Sequence, residues 1–412
     1  MHDTTAVVRP NAKIYTPAEN PHFPKLHRRF PTVAYLRKHA RRKLPHFAFE
    51  YCDGGAGADG GIARNWNALD AVELVPRYGV TTALPPVDVE LFGKRYSAPI
   101  GVAPMGGPSL VFPGADQYLA AACQRANVPY TLGLVGGMTM ERAAEIAPDV
   151  LWFQLYRCSR NEHAIGFDLV KRAQACGVNV LMLTLDVPVR TTRSREVAVG
   201  ITSPFRLDLR MLAGILTSPG YLRSMLRHGQ PRFGNLKPYM ANDADVNEVA
   251  AFVRREMGGA FTWDEVAKYR ERWKGPLVVK GILHPADAEK CVALGVDGIV
   301  VSNHGGRQVE GLPAPIDALP AIARTVGGRA KVMLDSGIRS GLDVARAVAL
   351  GADMAFAGKA FLWGLGALGA HGPGHVIDLM IDEMKSAFGQ IGAFAPAQAR
   401  SVVIRHPGAL QF

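Results

Sequence analysis

A histidine and an arginine stand three positions apart in the run Ser302-Asn303-His304-Gly305-Gly306-Arg307-Gln308. The run follows Gly298–Ser302, a short apolar segment of the type that forms a buried strand. Imidazole is the side chain best suited to exchanging a proton near neutral pH. His304 is therefore the first candidate for a catalytic base.

Five further strand-like segments also end in polar or ionisable residues. These ends are Gln154-Leu155-Tyr156, Thr184-Leu185-Asp186, Lys280-Gly281, Asp335-Ser336-Gly337-Ile338-Arg339 and Gly358-Lys359. Each has a simpler structural explanation, because a lysine can be solvated, an aspartate can cap a turn and a histidine can be a hydrogen-bonded rim residue. A purely structural assembly does not need polar groups at all six ends, so their combination favours one active site.

Glycines accompany the positive charges of Arg339 and Lys359 at the last two strand ends. Backbone N–H groups can approach a phosphate closely at glycine, and we expect a helix that starts at Gly341–Asp343 to add its positive end. With amide and hydroxyl groups at Gln154 and Thr184, this arrangement predicts a nucleotide-like cofactor. The cofactor would lie across the strand ends.

Eight short apolar runs alternate with helix-like stretches, which predicts an α/β fold of the (β/α)8 TIM barrel type. The enzymatic site of such a barrel lies at the carboxyl-terminal ends of its strands. We predict strands at Pro99–Ala103, Tyr130–Gly133, Leu151–Leu155, Val180–Thr184, Leu277–Lys280, Gly298–Ser302, Lys331–Leu334 and Met354–Ala357. We predict helices at Ala115–Ala126, Met140–Ala147, Glu162–Ala175, Ala286–Leu294, Ile316–Thr325 and Leu342–Leu350.

Two segments fall outside this repeat, and we expect all of residues 1–412 to form a single barrel domain. Residues 1–95 are expected to form an N-terminal helical cap over one end of the barrel. Residues 190–262, after the fourth strand, are too long for an ordinary loop and are interpreted as a functional, partly mobile excursion. The Gly55–Gly60 stretch fits a dinucleotide-binding pattern, but it follows a helix-like stretch, so we interpret it as a loop.

The formal net charge of +11 suits anionic partners, and it is concentrated in two blocks. No zinc-finger or RNA-binding motif accompanies either block, so we expect no nucleic acid partner. The five cysteines are scattered, which argues against a disulfide framework or a zinc site and fits a reducing compartment. We expect no metal, no secretory signal and no membrane-spanning helix. The blocks contain Arg28, Arg29, Arg37, Lys38, Arg41, Arg42 and Lys43, and Arg206, Arg210, Arg223, Arg227, Arg232 and Lys237.

From about residue 30 to its end, the chain resembles the FMN-dependent 2-hydroxy acid oxidases and dehydrogenases. This family includes glycolate oxidase, flavin-type lactate dehydrogenases and mandelate dehydrogenase. Among its members, the chain looks most similar to bacterial membrane-associated L-lactate dehydrogenases. The most specific matches are Ser302–Gln308, Val279-Lys280-Gly281, Trp152–Tyr156, Thr184-Leu185-Asp186-Val187-Pro188 and Asp335–Gly341.

The resemblance implies a role for each candidate catalytic residue. His304 would be the base, and Asp186 would stabilise the imidazolium that forms. Arg193 and Arg307 would hold the substrate carboxylate, and Tyr156 would donate a hydrogen bond to the substrate. His304 takes either the hydroxyl proton, as hydride passes to the flavin, or the Cα proton, to give a carbanion; the residues leave both routes open.

The resemblance also implies an FMN site. Lys280 would stabilise the negative charge of the reduced flavin, and Gln154 and Thr184 would contact the flavin ring. Asp335, Gly337, Arg339, Gly358 and Lys359 would hold the ribityl chain and phosphate. The remaining cofactor contacts would be Pro104, Met105, Gly106 and Ser302.

Several positions depart from the family pattern and bear on substrate identity. An active-site tyrosine of glycolate oxidase aligns with Phe49, and the serine after the second strand is replaced by Gly133. Val135 stands where an aromatic residue is common, which opens the pocket to a larger side chain. Lys359 replaces the phosphate-site arginine, and Thr191-Thr192 replaces the usual glycine-arginine context before the substrate-binding arginine.

Gly106 resembles the dehydrogenases, which favours a quinone or another carrier as electron acceptor over a true oxidase that uses O2 and gives H2O2. Apolar and basic residues alternate over Leu209–Leu226, which suits either an anionic membrane surface or a packed subunit interface. The resemblance implies a homo-oligomer, a tetramer, in the cytoplasm or peripheral on the inner face of the cell membrane. The alternatives are an FMN barrel that uses NAD(P)H or isopentenyl diphosphate, and a non-enzymatic lipid- or nucleic-acid-binding barrel.

Overall fold

The computed structural model describes residues 13–80, 84–189, 191–201, 208–230, 233–241 and 246–412. The start of the predicted N-terminal cap and two members of the second basic block, Arg206 and Arg232, lie outside the described residues.

The segment before the barrel contains four helices and three short strands. The helices are α1 (Phe23–Arg29), α2 (Val33–Lys43), α3 (His46–Asp53) and α4 (Gly60–Asp70), and the strands are β1 (Glu73–Val75), β2 (Val89–Leu91) and β3 (Lys94–Tyr96). The predicted N-terminal helical cap therefore also contains strands, because β2 and β3 form an antiparallel hairpin. Phe92 in the hairpin turn packs against Trp152, with ring centroids 5.9 Å apart, and so closes the amino-terminal end of the barrel.

Eight parallel strands close into a barrel, which confirms the predicted (β/α)8 fold. The barrel strands are β4 (Ile100–Val102), β5 (Tyr130–Gly133), β6 (Leu151–Leu155), β7 (Val180–Thr184), β8 (Leu277–Ile282), β9 (Gly298–Val301), β10 (Lys331–Leu334) and β11 (Met354–Ala357). Almost every residue of these strands is buried, as the continuous apolar runs require for a sheet covered on both faces.

The strand β8 runs two residues past its predicted end and carries an irregularity between Lys280 and Ile282. Gly281 has a φ of +105°, and a Cβ there would lie 2.5 Å from the Cβ of Asp186. Only glycine permits this close approach of β8 to the end of β7. The bulge thus brings Lys280 next to Asp186.

Helices surround the barrel, and six lie within two residues of their predicted bounds. The helices are α5 (Pro108–Val111), α6 (Ala115–Ala126), α7 (Met140–Ile146), α8 (Arg160–Ala175), α9 (Ser194–Ala198), α10 (Leu209–Leu216), α11 (Pro219–His228), α12 (Val246–Glu256), α13 (Trp263–Arg272), α14 (Pro285–Ala293), α15 (Pro315–Val326), α16 (Gly341–Ala349), α17 (Lys359–Leu368) and α18 (Gly372–Ile391). A last strand, β12 (Val403–Arg405), pairs with β1.

The excursion after the fourth barrel strand, β7, contains α9, α10, α11 and α12 and a short 3-10 helix at Gly234–Tyr239. Its helices present apolar residues toward the carboxyl-terminal end of the barrel, where they line a large cavity. The excursion therefore forms part of the wall of the candidate site.

Candidate active site

A cavity of about 1640 Å³ lies at the carboxyl-terminal ends of the barrel strands. A pocket for one small ligand has a volume of about 300–1,000 Å³, so this cavity has room for a nucleotide-sized cofactor and a second ligand. Most of the residues predicted from the sequence line it. These are Pro104, Met105, Gly106, Tyr156, Arg193, Lys280, His304, Arg307, Asp335, Gly337, Arg339, Gly358 and Lys359.

Four predicted residues lie behind the wall of this cavity. Gln154 and Thr184 are buried, and the Gln154 amide donates to the Thr184 hydroxyl at 2.9 Å. Ser302 and Asp186 contact the lining residues Lys280 and His304. These four side chains can thus orient the lining residues, and the direct contacts of Gln154 and Thr184 with a flavin ring stay predictions.

One network of hydrogen bonds and ion pairs joins the ends of four barrel strands, β7, β8, β9 and β10. The Nδ1 atom of His304 lies 2.7 Å from Oδ1 of Asp186. The Lys280 ammonium donates to Oδ2 of Asp186 at 3.0 Å and to Oγ of Ser302 at 2.7 Å, and it lies 3.2 Å from Oδ2 of Asp335. Asp186 thus leaves Nε2 of His304 as the ring nitrogen able to accept a proton.

The electrostatics of this network keep Asp186 ionised and His304 neutral. Burial alone would raise the pKa of Asp186, but His304 and Lys280 hold that pKa well below its usual range. Burial lowers the pKa of His304, and the Asp186 carboxylate opposes this shift only in part. Burial would also lower the pKa of Lys280, but Asp186 and Asp335 raise it above its ordinary value. A neutral imidazole beside a carboxylate can act as a base.

The backbone around His304 is held by side chains. His304 has a φ of +58°, a conformation that non-glycine residues adopt rarely and that occurs often at functional sites. Its N–H donates to Oγ of Ser302 at 3.0 Å, and the next N–H, of Gly305, donates to Oγ of Ser336 at 2.9 Å. The side-chain amides of Asn303 and Asn65 donate to each other. These contacts fix the turn that directs the imidazole toward the cavity.

Arg193 and Arg307 meet at one carboxylate, that of Glu196. Oε1 of Glu196 lies 2.6 Å from Nη2 of Arg307 and 3.2 Å from Nη1 of Arg193. Nη1 of Arg307 also donates to the carbonyl of Gly54 at 2.7 Å, so its guanidinium is held against the end of α3. The two arginines therefore lie side by side, as the binding of one carboxylate requires.

Three tyrosines line the cavity: Tyr156, Tyr51 and, in the excursion, Tyr221. Burial, with the negative charge of Asp186, raises the pKa of Tyr156 to about 12, so its hydroxyl remains protonated and can donate. The second tyrosine is Tyr51, whose hydroxyl donates to the carbonyl of Gly106 at 2.6 Å. Phe49 is buried and does not line the cavity, so the alignment of Phe49 with an active-site tyrosine was wrong. Tyr51 lines the cavity and carries a hydroxyl, so it takes the place that was assigned to Phe49.

Lys359 and Arg339 also line the cavity. The Lys359 ammonium donates to the carbonyls of Cys52, Asp53 and Gly54 at 2.9, 3.1 and 2.7 Å. Gly337, Ile338 and Arg339 and the start of α17 border the same space, although the N–H of Arg339 already donates to Oδ2 of Asp343 at 2.9 Å. This donor set fits the phosphate and ribityl chain of FMN.

The sequence predicts that the helix starting at Gly341–Asp343 binds the phosphate, but a different helix begins at the cavity. The N–H of Gly341, at the start of α16, donates to Oε2 of Glu383 at 2.7 Å. Side chains of the protein therefore already occupy the N-terminus of α16. The helix that begins at the cavity is α17, which follows Gly358.

The glycine-rich stretch at residues 55–60 forms a loop between α3 and α4, in agreement with its interpretation as a loop. Its N–H groups at Ala58 and Gly60 donate to Oε1 of Glu310 at 3.1 and 2.6 Å. A carboxylate of the protein thus takes the place that a phosphate has in dinucleotide-binding loops.

The pKa of Lys359 predicts how FMN affinity changes with pH. Burial, with the nearby charge of Arg307, lowers this pKa to about 7 in the absence of a bound anion. An FMN phosphate favours the ammonium form, so above pH 7 binding must be accompanied by proton uptake. We expect the FMN affinity of the apoprotein to fall by up to about tenfold per pH unit above pH 7. Calorimetry in buffers of different ionisation enthalpy measures this uptake, and Lys359→Arg should abolish it.

A steric constraint explains why position 133 is glycine in this chain, where the resemblance to the family leads one to expect serine. A Cβ at this position would lie 2.8 Å from the carbonyl oxygen of Met105. Restoring the family's serine with Gly133→Ser should therefore displace the Met105 backbone and lower the free energy of unfolding by about 1–3 kcal/mol. Denaturant unfolding of the two proteins measures the difference, and an equally stable variant would contradict this reason.

A second arm of the cavity extends beneath the excursion helices. Leu212 and Leu216 line this arm and are also 42% and 60% exposed, so they mark its opening to the surface. The sequence did not predict this arm, because it forms only when separate helices pack together. Its other apolar walls are Ile201, Met211, Ile215, Tyr221, Leu222, Met225, Phe233, Met240, Val253 and Met257.

Comparison with known proteins places the chain in a family. The family model for FMN-dependent dehydrogenases matches residues 40–406. The chain is 37% identical to an L-lactate dehydrogenase of Stenotrophomonas maltophilia over 358 residues, which cover 87% of this chain and 94% of the relative. It is 36% identical to an L-lactate dehydrogenase of Haemophilus influenzae over 352 residues, which cover 85% of this chain and 92% of that one.

Solved structures agree with this placement. The monotopic membrane protein (S)-mandelate dehydrogenase superposes with a TM-score of 0.84 at 30% identity, covering 92% of this chain and 98% of its own. A mandelate oxidase with (S)-4-hydroxymandelic acid superposes with a TM-score of 0.79 at 32% identity, covering 92% and 99%. The chain therefore belongs to the family of FMN-dependent 2-hydroxy acid dehydrogenases and oxidases, and its cofactor is FMN.

Proposed function

We propose that the chain oxidises an L-2-hydroxy acid, lactate-like or larger, to the 2-oxo acid. The observation that carries this proposal is the His304–Asp186 pair at 2.7 Å, in the same cavity as Arg193 and Arg307. This combination supplies a base and a carboxylate-binding pair, the two functions that a 2-hydroxy acid requires. The alternative barrel enzymes, which use NAD(P)H or isopentenyl diphosphate, have no evident need for both a histidine base and a carboxylate-binding pair of arginines.

In the proposed reaction, the substrate carboxylate binds Arg193 and Arg307, and Tyr156 donates a hydrogen bond to the substrate. Nε2 of His304 takes up the proton, and Asp186 stabilises the resulting imidazolium through Nδ1. Because Asp186 is ionised at all physiological pH values, the pair needs no proton rearrangement before the reaction.

Bound FMN supplies the two-electron acceptor for this oxidation. Lys280 would provide positive charge beside the flavin ring, together with contacts from Gln154, Thr184, Ser302 and the segment Pro104–Gly106. The ribityl chain and phosphate would be held by Asp335, Gly337, Arg339, Gly358 and Lys359.

The visible spectrum of the purified protein, with anaerobic additions of substrates, tests the proposed function. The protein should be yellow, and L-lactate, L-mandelate, glycolate or a longer L-2-hydroxy acid should bleach its flavin absorbance. A flavin-loaded protein that none of these acids bleaches would contradict the proposal. The relative bleaching rates would identify the preferred side chain.

For the electron acceptor, we infer a lipid-soluble quinone. The second arm of the cavity is lined mostly by apolar side chains, and it opens at Leu212 and Leu216 on the surface. An acceptor with an apolar tail fits such a passage. Anaerobically reduced protein should be reoxidised faster by a quinone with an alkyl tail than by air-saturated buffer, whereas a true oxidase would show the reverse and produce H2O2.

The surface around this opening suits an anionic membrane. Leu209 and Leu226 are 84% and 79% exposed, and Arg210, Arg223 and Arg227 lie on the same two helices. Apolar side chains beside basic ones are typical of surfaces that lie on anionic lipid. In the described part of the chain, no helix has the length and hydropathy needed for a membrane span.

A vesicle-pelleting experiment tests this attachment. At low salt, the protein should sediment with anionic vesicles, and replacing Leu209 and Leu226 with serine should leave it in the supernatant. Leu84→Ser is a matched control, because Leu84 is also largely exposed but lies elsewhere on the surface. Wild-type protein found only in the supernatant would contradict membrane attachment and a peripheral location on the inner face of the cell membrane.

We further infer from the family resemblance that the chain assembles as a homotetramer. Light scattering coupled to size-exclusion chromatography measures the mass directly. A mass near that of one 44.4 kDa chain would contradict this inference.

A further inference from the structure

The carboxylate of Glu196 lies where the two arginines expected to bind substrate converge. Its Oε1 atom accepts from both guanidinium groups, and its side chain is only 15% exposed. Arg193 and Glu196 lie three residues apart at the start of α9, so one short helix supplies both an arginine and its acidic partner. The carboxylate-binding site thus contains a negative charge of the protein itself.

The helix α9 is fixed to the N-terminal cap by a separate set of contacts. The guanidinium of Arg195 pairs with Glu50 and Asp53 of α3 and with Asp59. Because Arg195, the residue before Glu196, fixes α9 to the cap, this carboxylate does not need to swing in from solvent to reach the arginines. Its position belongs to the fold of the excursion.

The hydrogen bonds of the two arginines leave one nitrogen atom of each guanidinium without a partner among the described residues. Nε of Arg193 donates to the carbonyl of Arg307, and Nη1 donates to Glu196. Nη1 of Arg307 donates to the carbonyls of Tyr51 and Gly54, and Nη2 donates to Glu196. Nη2 of Arg193 and Nε of Arg307 therefore remain for a ligand.

We propose that Glu196 is a positioning residue that also selects the charge of the substrate. It orients both guanidinium groups and leaves the trio of Arg193, Arg307 and Glu196 with a net charge of one. A single carboxylate matches that charge. A second carboxylate would add a negative charge that this trio does not neutralise and that Glu196 repels. This inference rests on the proposed function and narrows its substrates to 2-hydroxy monocarboxylic acids.

The test compares the binding of two inhibitors to the FMN-loaded enzyme, one with one negative charge and one with two. Pyruvate and oxalate serve as the probes, and their dissociation constants are read from the perturbation of the flavin spectrum. Glu196→Gln should lower the constant for oxalate relative to that for pyruvate by about tenfold to a hundredfold, because it removes one negative charge from the site that binds the dianion. Glu196→Asp should keep the wild-type preference.

Glu50→Gln is the matched control. Glu50 also pairs with an arginine of α9, Arg195, but in the part of the chain that the structure describes it forms no ion pair with Arg193 or Arg307. It should leave the ratio of the two constants within about twofold of wild type. A Glu196→Gln variant in which both dissociation constants change by the same factor would overturn the proposal. If both constants fell equally, Glu196 would only block the site. If both rose equally, Glu196 would have only a structural role.

Activity measurements separate this inference from the proposed function. With L-lactate, Glu196→Gln should raise KM more than it lowers kcat, because the orientation of the carboxylate-binding arginines is lost while His304 and Asp186 are untouched. L-malate, which carries a second carboxylate, should become a relatively better substrate. If the wild-type flavin is reduced by none of the hydroxy acids, the proposed function fails, but the ratio of the two inhibitor constants still tests the charge selection.

Discussion

His304→Asn should lower the rate of anaerobic flavin reduction by substrate by about 10²–10⁴-fold, the usual contribution of a general base. Asparagine tolerates the positive φ of +58° at this position, so the backbone turn should survive the substitution. The side-chain amide has no nitrogen that can accept the substrate proton. Stopped-flow spectroscopy measures the rate, and the flavin content of the variant should equal that of the wild type.

The chain offers a closely matched control for this experiment. His163 also has a positive φ, +66°, and its Nε2 atom lies 2.9 Å from a carboxylate oxygen of Glu265. It lies outside the cavity lining. His163→Asn should therefore reduce the flavin reduction rate by less than about threefold. Near-normal reduction by His304→Asn would remove His304 from its proposed role.

The pH dependence of kcat/KM in the wild type also tests whether His304 is the base. His304 must be neutral to accept a proton, and burial lowers its pKa below the ordinary value. The value of kcat/KM should therefore rise with pH and reach half its plateau below pH 6.5, with the protonated form inactive. A limb that rises above pH 7.5 would show that another group is the base.

Lys280→Met should reduce both stability and activity. The Lys280 ammonium lies between Oδ2 of Asp186 at 3.0 Å and Oδ2 of Asp335 at 3.2 Å, and all three side chains are less than 10% exposed. Removing this cation leaves two buried carboxylates without their shared partner, which typically costs about 3–5 kcal/mol. Loss of the positive charge beside the flavin should also slow flavin reduction by about 10²–10³-fold.

Denaturant unfolding and stopped-flow reduction measure these two effects separately. Lys331→Met is the control, since Lys331 also lies in a barrel strand, β10, but is 45% exposed with its nearest carboxylate, Asp353, at 3.9 Å. An exposed pair of this kind contributes about 0–1 kcal/mol. If Lys280→Met changed the free energy of unfolding no more than Lys331→Met, this would contradict a stabilising role for the network around Lys280.

The barrel could be predicted from the sequence because its strands are continuous apolar runs. Residues such as Leu151–Leu155 are buried on both faces, and that requirement leaves a direct trace in residue type. The strands β1, β2, β3 and β12 were missed for the opposite reason. Each has only three residues and is partly exposed, so no apolar run or alternation marks it.

The candidate site was predictable at the strand ends and less so elsewhere. His304, Lys280 and Asp186 follow directly from strand positions, because parallel strands bring their carboxyl ends to one rim. Tyr51 and Glu196 belong to segments outside the barrel, whose placement depends on tertiary packing. The spacing of Arg193 and Glu196, three residues apart, was a signal that could have identified their pairing.

The most direct test of the central claim counts product against reduced flavin. Anaerobic mixing of the FMN-loaded protein with excess of the preferred L-2-hydroxy acid should bleach the flavin and release one molecule of the 2-oxo acid per flavin reduced. The D-enantiomer should do neither. Bleaching without stoichiometric 2-oxo acid, or a flavin that stays oxidised with every L-2-hydroxy acid supplied, would contradict the assignment of this chain as a 2-hydroxy acid dehydrogenase.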